Sequence, residues 1–184
     1  MKNEYSDKEL IELYKRGENP SYAFNLIIRK HQEKLYYFIR RITNDHDDTN
    51  DVLQNVFIKA YKGLDNFREE ANLYTWLYRI ASNESITFLN KKKKTSGHLS
   101  LEDEVGNHYG STNHGHGPSG EEIQQKLEEA INTLPPKQRT VFTMKYFEEK
   151  KYDEIADILD SSVGSLKASY FHAVKKIEKY LTGN

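Results

Sequence analysis

The stretch "YDEIADILDSSVGSLKASYFHAVKKIEKYL", residues 152–181, carries the pattern that decides the fold. Ile155 and Ile158 lie one turn apart and mark the apolar face of a short helix. The polar run "DSS" ends that helix, and Ser162 is suited to cap a second helix that begins at Val163. Two helices joined by so short a turn predict a helix-turn-helix.

The turn between these helices has residues that suit the motif. Ala156 is small enough for a close crossing of the two helices. A tight turn favours positive φ, at which glycine is commonest, but Asp160 occupies this position. Aspartate tolerates that backbone region better than most residues, so the departure is modest.

The second helix of a DNA-binding helix-turn-helix lies in the major groove. Its outward side chains include hydroxyl and ammonium groups, which bond both bases and phosphates. An ordinary pair of packed helices with a polar outer face would give the same pattern, so that alternative stays open. The predicted DNA-contact residues are Ser165, Lys167, Ala168, Ser169 and His172.

Helical periodicity also governs the rest of the chain, which has no convincing strand pattern. Residues 95–120 interrupt it, because they are mostly Gly, Ser, Asn and His and cannot bury enough apolar surface to offset their ordering entropy. We predict an all-α chain of two small helical domains joined by a flexible linker. The domains are residues 1–94 and 121–184, and the linker is 95–120.

Composition excludes several classes of protein. The 184 residues include no cysteine, so neither a disulfide framework nor a thiolate metal site can form. No apolar run approaches the length of about 18 residues that suggests a membrane span. The N-terminus lacks the apolar core of a signal peptide. We therefore expect a cytoplasmic location.

Opposite charges lie on separate segments, although the net charge is only −1. Asp45, Asp47, Asp48 and Asp51 form an acidic patch, and the run from residue 91 to residue 94 forms a basic one. This separation favours one basic partner and one acidic partner.

The basic run ends a predicted helix, "NLYTWLYRIASNESITFLNKKKK", residues 72–94. Trp76, Arg79 and Asn83 lie at helical spacings on one face. An indole that stacks on a base, with a guanidinium and an amide beside it, suits a strand of unpaired bases. The alternatives are that the indole packs in the core and that the lysine run is only a solvated helix end. The residues predicted to hold phosphates are Lys91, Lys92, Lys93 and Lys94.

The preceding helix has a pattern that indicates protein docking. Asp51, Gln54 and Ile58 lie away from its apolar stripe. An exposed apolar side chain beside polar ones is typical of a docking face, although a solvated amphipathic helix has the same period.

No group of residues indicates catalysis. The chain has neither a nucleophile–base pair nor a phosphate-binding glycine loop, so we predict no enzyme and no cofactor. Histidines in the predicted linker raise the alternative of a metal site. They lie on no rigid scaffold, so we expect no specific metal there. These histidines are His98, His108, His114 and His116.

Three blocks, in their order along the chain, resemble a bacterial RNA polymerase sigma factor of the extracytoplasmic-function (ECF) type. "DVLQNVFIKAYKGLDNFREEANLYTWLYRIASN" is similar to the core-binding and promoter-melting region. "LPPKQRTVFTMKYFEEKKYDEIADIL" is similar to the start of the C-terminal domain, and "SSVGSLKASYFHAVKKI" to its recognition helix. The resemblance covers nearly everything except the extreme N-terminus and the linker.

This resemblance implies a sigma factor that binds core RNA polymerase and directs transcription from specific promoters. The N-terminal domain would capture the non-template strand of the −10 element, with Asn83 near a flipped-out base. The C-terminal domain would dock on the polymerase flap and bind the −35 element. An anti-sigma factor is a further partner compatible with this family. Contacts with a coiled coil of the largest polymerase subunit would come from Asp51, Gln54, Asn55 and the neighbouring Ile58.

Some positions depart from the family pattern. Thr87 and Asn90 stand where the family often has an acid and an arginine, and Ser169 and His172 replace arginines of the recognition helix. Base preference is therefore not predicted. The main alternative is a helix-turn-helix regulator that binds duplex DNA without polymerase. Against it, the N-terminal domain has no phosphorylation-type α/β pattern.

Overall fold

The computed structural model describes residues 5–67, 72–95 and 119–183, and within these ranges it is helical and has no strand. A 3₁₀ turn, Leu64–Asn66, follows the third helix, and a π-helical segment, Thr143–Phe147, follows the sixth. None of the helices in these ranges combines the length and apolarity that a membrane span requires. The α-helices are α1 Asp7–Lys15, α2 Pro20–Thr43, α3 His46–Gly63, α4 Leu73–Thr95, α5 Gly120–Asn132, α6 Pro136–Phe142, α7 Tyr152–Leu159 and α8 Val163–Thr182.

Several helices begin where the sequence supplies a cap. At α1, the Glu9 N–H donates to the Ser6 hydroxyl over 3.2 Å, and the Ser6 N–H donates to the Glu9 carboxylate over 2.7 Å. At α8, the Ser165 N–H donates to the hydroxyl of Ser162 over 3.2 Å. The predicted start of the second helix of the helix-turn-helix is therefore confirmed.

The N-terminal domain packs α1, α3 and α4 around the long α2. The apolar face of α2 supplies Phe38 and Ile42, which are fully buried. Val56 of α3 and Leu77 of α4 complete this core without exposure to solvent. The three- and four-residue spacing of apolar side chains thus produces the expected buried faces.

The C-terminal domain contains the predicted helix-turn-helix, formed by α7 and α8. Ile155 and Ile158 of α7 are buried, and so is Leu166 of α8. Asp160 ends α7 with φ 49° and ψ 54°, in the left-handed region. The aspartate thus takes the conformation that glycine usually takes at such a turn.

The two domains pack against each other, an arrangement that the sequence did not predict. Val141, Met144 and Leu166 of the C-terminal domain belong to the same apolar cluster as the N-terminal core. On the N-terminal side, α4 contacts both α6 and α7. We call this packing the closed arrangement. Most of the predicted linker, residues 96–118, lies outside the described residues.

Candidate nucleic-acid interface

The predicted strand-binding face of α4 is partly exposed. Arg79 and Asn83 are exposed, whereas Trp76 is half-buried. The indole lies 5.0 Å from the Phe67 ring, centroid to centroid. A Cβ added at Gly63 would lie 3.0 Å from Cζ2 of the indole, so the ring packs closely on the end of α3. Part of the Trp76 ring therefore packs against Phe67 and the end of α3, and the rest is accessible to solvent.

A cleft of about 880 Å³ opens beside the start of α4. Its lining includes the rings of Phe67 and Tyr74, the amide of Asn72, and the ammonium groups of Lys30 and Lys34. Rings offer stacking surfaces for bases, an amide can bond a base edge, and ammonium groups attract phosphates. Sequence reasoning missed the two lysines, although their four-residue spacing on α2 is a signal that could have found them.

The same cleft is lined by a buried histidine. His31 is 5% exposed, and its Nε2 lies 3.1 Å from the Asp7 carboxylate on α1. Burial lowers the pKa of His31, because it penalises the charged imidazolium, while Asp7 raises it to a smaller extent. Lys30 and Lys34 lower this pKa further. The contact between His31 and Asp7 links α1 to α2 at the cleft.

The predicted basic run is exposed at the end of α4. Lys92 forms an ion pair with Asp48 on α3, with 2.5 Å between nitrogen and oxygen. Its hydrogen bond to that carboxylate raises the pKa of Lys92. The acidic and basic patches, which the sequence assigns to separate partners, therefore meet at this pair. The other exposed lysines of the run are Lys91, Lys93 and Lys94.

The side chains of the predicted docking face of α3 are exposed. Ile58 is 45% exposed, and the neighbouring Tyr61 is equally exposed. The Tyr61 ring lies 5.0 Å from the Phe24 ring of α2, centroid to centroid, which holds it in place. An apolar centre with a polar rim is common at protein interfaces. The exposed polar residues on this helix include Asp51, Gln54 and Asn55.

The outer face of α8 carries four of the five predicted DNA-contact residues. Ser165, Lys167, Ala168 and His172 are exposed, whereas Ser169 is half-buried and therefore less accessible. The Lys167 ammonium lies 5.8 Å from the centroid of the Tyr152 ring, a residue of α7. This contact directs the lysine towards α7.

Sequence reasoning missed an aromatic residue on the same face. Phe171 is 54% exposed, and the Lys175 ammonium lies 4.7 Å from its ring centroid. Its position one turn after Ala168 is the signal that could have found it. A phenylalanine side chain can contact the methyl group of thymine in the major groove.

The closed arrangement covers part of the α4 face. Arg79 donates a hydrogen bond to the backbone carbonyl of Asp157 on α7. Lys150, which is 8% exposed, donates to the Tyr74 hydroxyl over 2.7 Å. Its ammonium also lies 4.5 Å from the centroid of the Tyr78 ring. The C-terminal domain therefore contacts Arg79, which the sequence assigns to a DNA strand, and Tyr74, which lines the adjoining cleft.

Two further cations join the domains. Arg139 of α6 is 5% exposed and donates to the Ile42 carbonyl over 2.9 Å and to the Asn132 carbonyl. Burial lowers the pKa of Arg139 to about 10. Arg41 of α2 pairs with Glu148 over 2.7 Å. The contact between the domains is thus polar around an apolar centre.

The described part of the chain contains no group of three or more side chains suited to a metal ion. The four histidines considered for such a site lie outside it, within residues 96–118.

Solved structures share this fold. CnrH, solved in complex with the cytosolic domain of CnrY, aligns with a TM-score of 0.66 over 97% of this chain and 98% of that chain, at 19% identity. The sigma factor RpoE from Bartonella quintana, solved with the anti-sigma factor NepR, aligns with a TM-score of 0.61 over 86% of this chain and 96% of that chain, at 22% identity.

Sequence comparison identifies the family. Residues 27–95 match Sigma-70 region 2, and residues 124–177 match Sigma-70, region 4. The RNA polymerase sigma-H factor of Pseudomonas aeruginosa is 33% identical over 98% of this chain and 96% of its own length. The ECF RNA polymerase sigma-E factor of Escherichia coli K12 is 32% identical over 97% of this chain and 95% of its own length. This chain therefore belongs to the ECF family of RNA polymerase sigma factors.

Proposed function

We propose that this chain binds core RNA polymerase in the cytoplasm and directs initiation by engaging two promoter elements. Residues 1–94 would bind polymerase and the −10 element, and residues 121–184 the −35 element, with residues 95–120 joining them. The observation that carries this proposal is that one chain contains both sigma regions, in order, and is 33% identical to a sigma factor along nearly its whole length. Its role is binding and not catalysis.

The polymerase contact is assigned to α3. Its exposed apolar centre at Ile58 would enter the interface, and the amide and carboxylate groups at Gln54, Asn55 and Asp51 would form the polar rim. Such a face needs no movement of the C-terminal domain, because these side chains are already exposed in the closed arrangement.

The −10 contact is assigned to the α4 face and the adjoining cleft. The accessible part of Trp76 would stack on a base, while Asn83 bonds a base edge. Flipping a base out of the duplex costs a few kcal/mol, and stacking on an aromatic ring returns roughly 1–3 kcal/mol per base. One helix face therefore cannot hold a duplex open alone. We assign stable opening to polymerase and the trapping of one strand to this chain.

The −35 contact is assigned to the outer face of α8. Ser165 and His172 would bond base edges or phosphates, and Ala168 together with Phe171 forms an apolar strip suited to thymine methyl groups. Lys167 and the half-buried Ser169 would contribute at the margin of this surface.

An anti-sigma factor is a further proposed partner. RpoE of Bartonella quintana was solved with the anti-sigma factor NepR, and its fold is shared by this chain. A partner of this class would act by keeping polymerase or promoter from the surfaces described above.

Two binding measurements test the proposal against a helix-turn-helix regulator that works alone. The purified chain should co-elute with core polymerase in size-exclusion chromatography, and its mobility shift of promoter duplex should be weak unless polymerase is added. Tight, sequence-specific binding of duplex by the chain alone, without association with polymerase, would favour the regulator.

A further inference from the structure

A hydrogen bond joins the end of α1 to the turn that follows α3. The Tyr14 hydroxyl donates to the Asp65 carboxylate over 3.0 Å, although 51 residues separate the two in the sequence. Asp65 lies in the middle of the 3₁₀ turn Leu64–Asn66. Neither Tyr14 nor Asp65 belongs to the surfaces that we assign to polymerase or to DNA, so their contact has no role in binding that is described above.

This turn is flanked by the two residues that pack against the indole of Trp76. Gly63 precedes the turn, and a Cβ added there would lie 3.0 Å from Cζ2 of the indole. Phe67 follows the turn, and its ring lies 5.0 Å from the indole, centroid to centroid. A shift of the turn would therefore move both supports of the Trp76 ring, and with them the part of the ring that is accessible to solvent.

The turn has little backbone structure of its own to hold it. It is three residues long, and a 3₁₀ turn has poorer hydrogen-bond geometry than an α-helix. Leu64 is buried, whereas Asp65 is exposed. Tyr14 is only 7% exposed, so the packing of α1 holds its ring in place. Burial raises the pKa of Tyr14 above its ordinary 10, and the hydrogen bond to Asp65 raises it further, so the hydroxyl remains a donor at neutral pH.

We propose that Tyr14 is a positioning residue for capture of the −10 strand, which fixes the turn at Asp65 and thereby the accessible part of the Trp76 ring. This inference rests on the proposed function, in which that ring stacks on a base. A ring that is already held in its binding orientation loses less conformational entropy when the base binds. The buried Tyr14 acts through Asp65 and does not contact the strand itself.

Fluorescence of the free chain tests this link without polymerase, because Trp76 is the only tryptophan. Tyr14→Phe removes the hydroxyl but keeps the ring, and Asp65→Ala removes the acceptor from an exposed position. Each change should make the indole more accessible to quenching by acrylamide. Asp65→Asn keeps an acceptor oxygen and should retain the wild-type quenching, as should Tyr22→Phe, which alters an exposed tyrosine of α2. Wild-type quenching in both Tyr14→Phe and Asp65→Ala would overturn the proposal.

The double variant Tyr14→Phe with Asp65→Ala distinguishes one shared contact from two independent defects. If both single changes act by breaking the same hydrogen bond, the double variant should be quenched to the same extent as either single variant. Effects that add in the double variant would overturn the proposal, because Tyr14 and Asp65 would then act on Trp76 separately.

Promoter opening and polymerase binding, measured separately, distinguish positioning from a general structural defect. With core polymerase, Tyr14→Phe should reduce the permanganate reactivity of promoter thymines by about fivefold, or about 1 kcal/mol. Its affinity for core polymerase should equal that of the wild type, because the change leaves the exposed face of α3 intact. Asp65→Asn, which can still accept the hydrogen bond, should retain promoter opening. An equal loss of polymerase affinity in Tyr14→Phe would make Tyr14 a structural residue only and overturn the proposal.

Failure of this inference can be told apart from failure of the proposed function. If the wild type opened no promoter with core polymerase, the proposed function would be wrong, and the positioning role with it. If the wild type opened promoters and Tyr14→Phe opened them equally well, only the positioning role of Tyr14 would be overturned.

Discussion

Arg79, on the α4 face assigned to a DNA strand, donates a hydrogen bond to the backbone carbonyl of Asp157 on α7. The guanidinium that we assign to a DNA strand therefore already contacts α7 in the closed arrangement. Under the proposed role of Arg79, the closed arrangement would compete with promoter capture, so we expect the two domains to separate when the chain engages polymerase and promoter.

Replacing Lys150 by methionine should loosen the contact between the domains. The change keeps much of the apolar stem but removes the ammonium that bonds Tyr74 and lies over the Tyr78 ring. Hydrogen bonds of charged groups contribute about 1.5–3 kcal/mol, and the recovered desolvation offsets part of this. We expect the free energy of unfolding to fall by about 1–2 kcal/mol.

Spin labels on cysteines introduced at the exposed Thr87 of α4 and Asp153 of α7 measure the loosening directly, because the chain has no native cysteine. The distance between the labels should lengthen in Lys150→Met. Lys137→Met is the matched control, because Lys137 is an exposed residue of α6. An unchanged distance in Lys150→Met would mean that the apolar contact alone holds the domains.

Replacing Asn83 by alanine should impair promoter opening without affecting polymerase binding. Asn83 is exposed, so its side chain contributes little to the core of the N-terminal domain. Loss of an amide contact to an unpaired base should cost about 1–3 kcal/mol of open-complex stability. Permanganate reactivity of promoter thymines measures opening, and affinity for core polymerase is measured separately. An equal loss in both measurements would make Asn83 a structural residue.

Replacing Lys91, Lys93 and Lys94 together by alanine should weaken promoter binding on all sequences and reduce its dependence on salt. This variant retains the ion pair between Lys92 and Asp48, so the packing of α3 on α4 is preserved. Each lost phosphate contact should lower the slope of log affinity against log salt by about 0.7 for a single strand. Titrations of the polymerase holoenzyme across a salt series give this slope.

Lys62→Ala, on α3, is the control for a general change in charge. If the triple variant kept the wild-type slope, the lysine run would be a solvated helix end.

Acidification should destabilise the N-terminal domain through His31. Burial lowers the pKa of His31 below its ordinary 6.5, so the unfolded chain binds a proton more readily than the folded one. Stability is therefore retained above pH 6.5 and falls as the pH drops from there towards the lowered pKa. Urea unfolding at a series of pH values should show this loss.

The loss should be smaller in His31→Gln, which cannot gain the proton. His172→Gln removes an exposed histidine and should leave the pH dependence as it is in the wild type. Identical profiles for His31→Gln and the wild type would show that other groups cause the acid sensitivity.

Local physical chemistry made the helix-turn-helix predictable. The Ser162 cap and the left-handed Asp160 depend on neighbours within a few residues, so their consequences can be read from a short stretch. The same holds for the exposure of Gln54 and Ile58, which follows from helical period. These elements identify the fold class, and the exposed face of α3 that we propose for docking, without any long-range information.

The domain contact could not be predicted in the same way. Arg139 bonds the carbonyl of Ile42, 97 residues earlier in the chain, and nothing in its neighbourhood specifies that partner. Trp76 is an intermediate case. Helical periodicity predicts the face of α4 on which it lies, but its packing on Gly63 depends on where α3 ends. Pairing between distant segments, rather than local propensity, decides both features.

Transcription in vitro tests the central claim most directly. Core polymerase is supplied with pooled promoter fragments, with and without this chain, and the run-off transcripts are mapped. We predict that the chain induces transcripts that begin at a fixed distance from a shared pair of upstream elements, and that Asn83→Ala reduces them. The same transcripts at the same level without the chain would contradict the account.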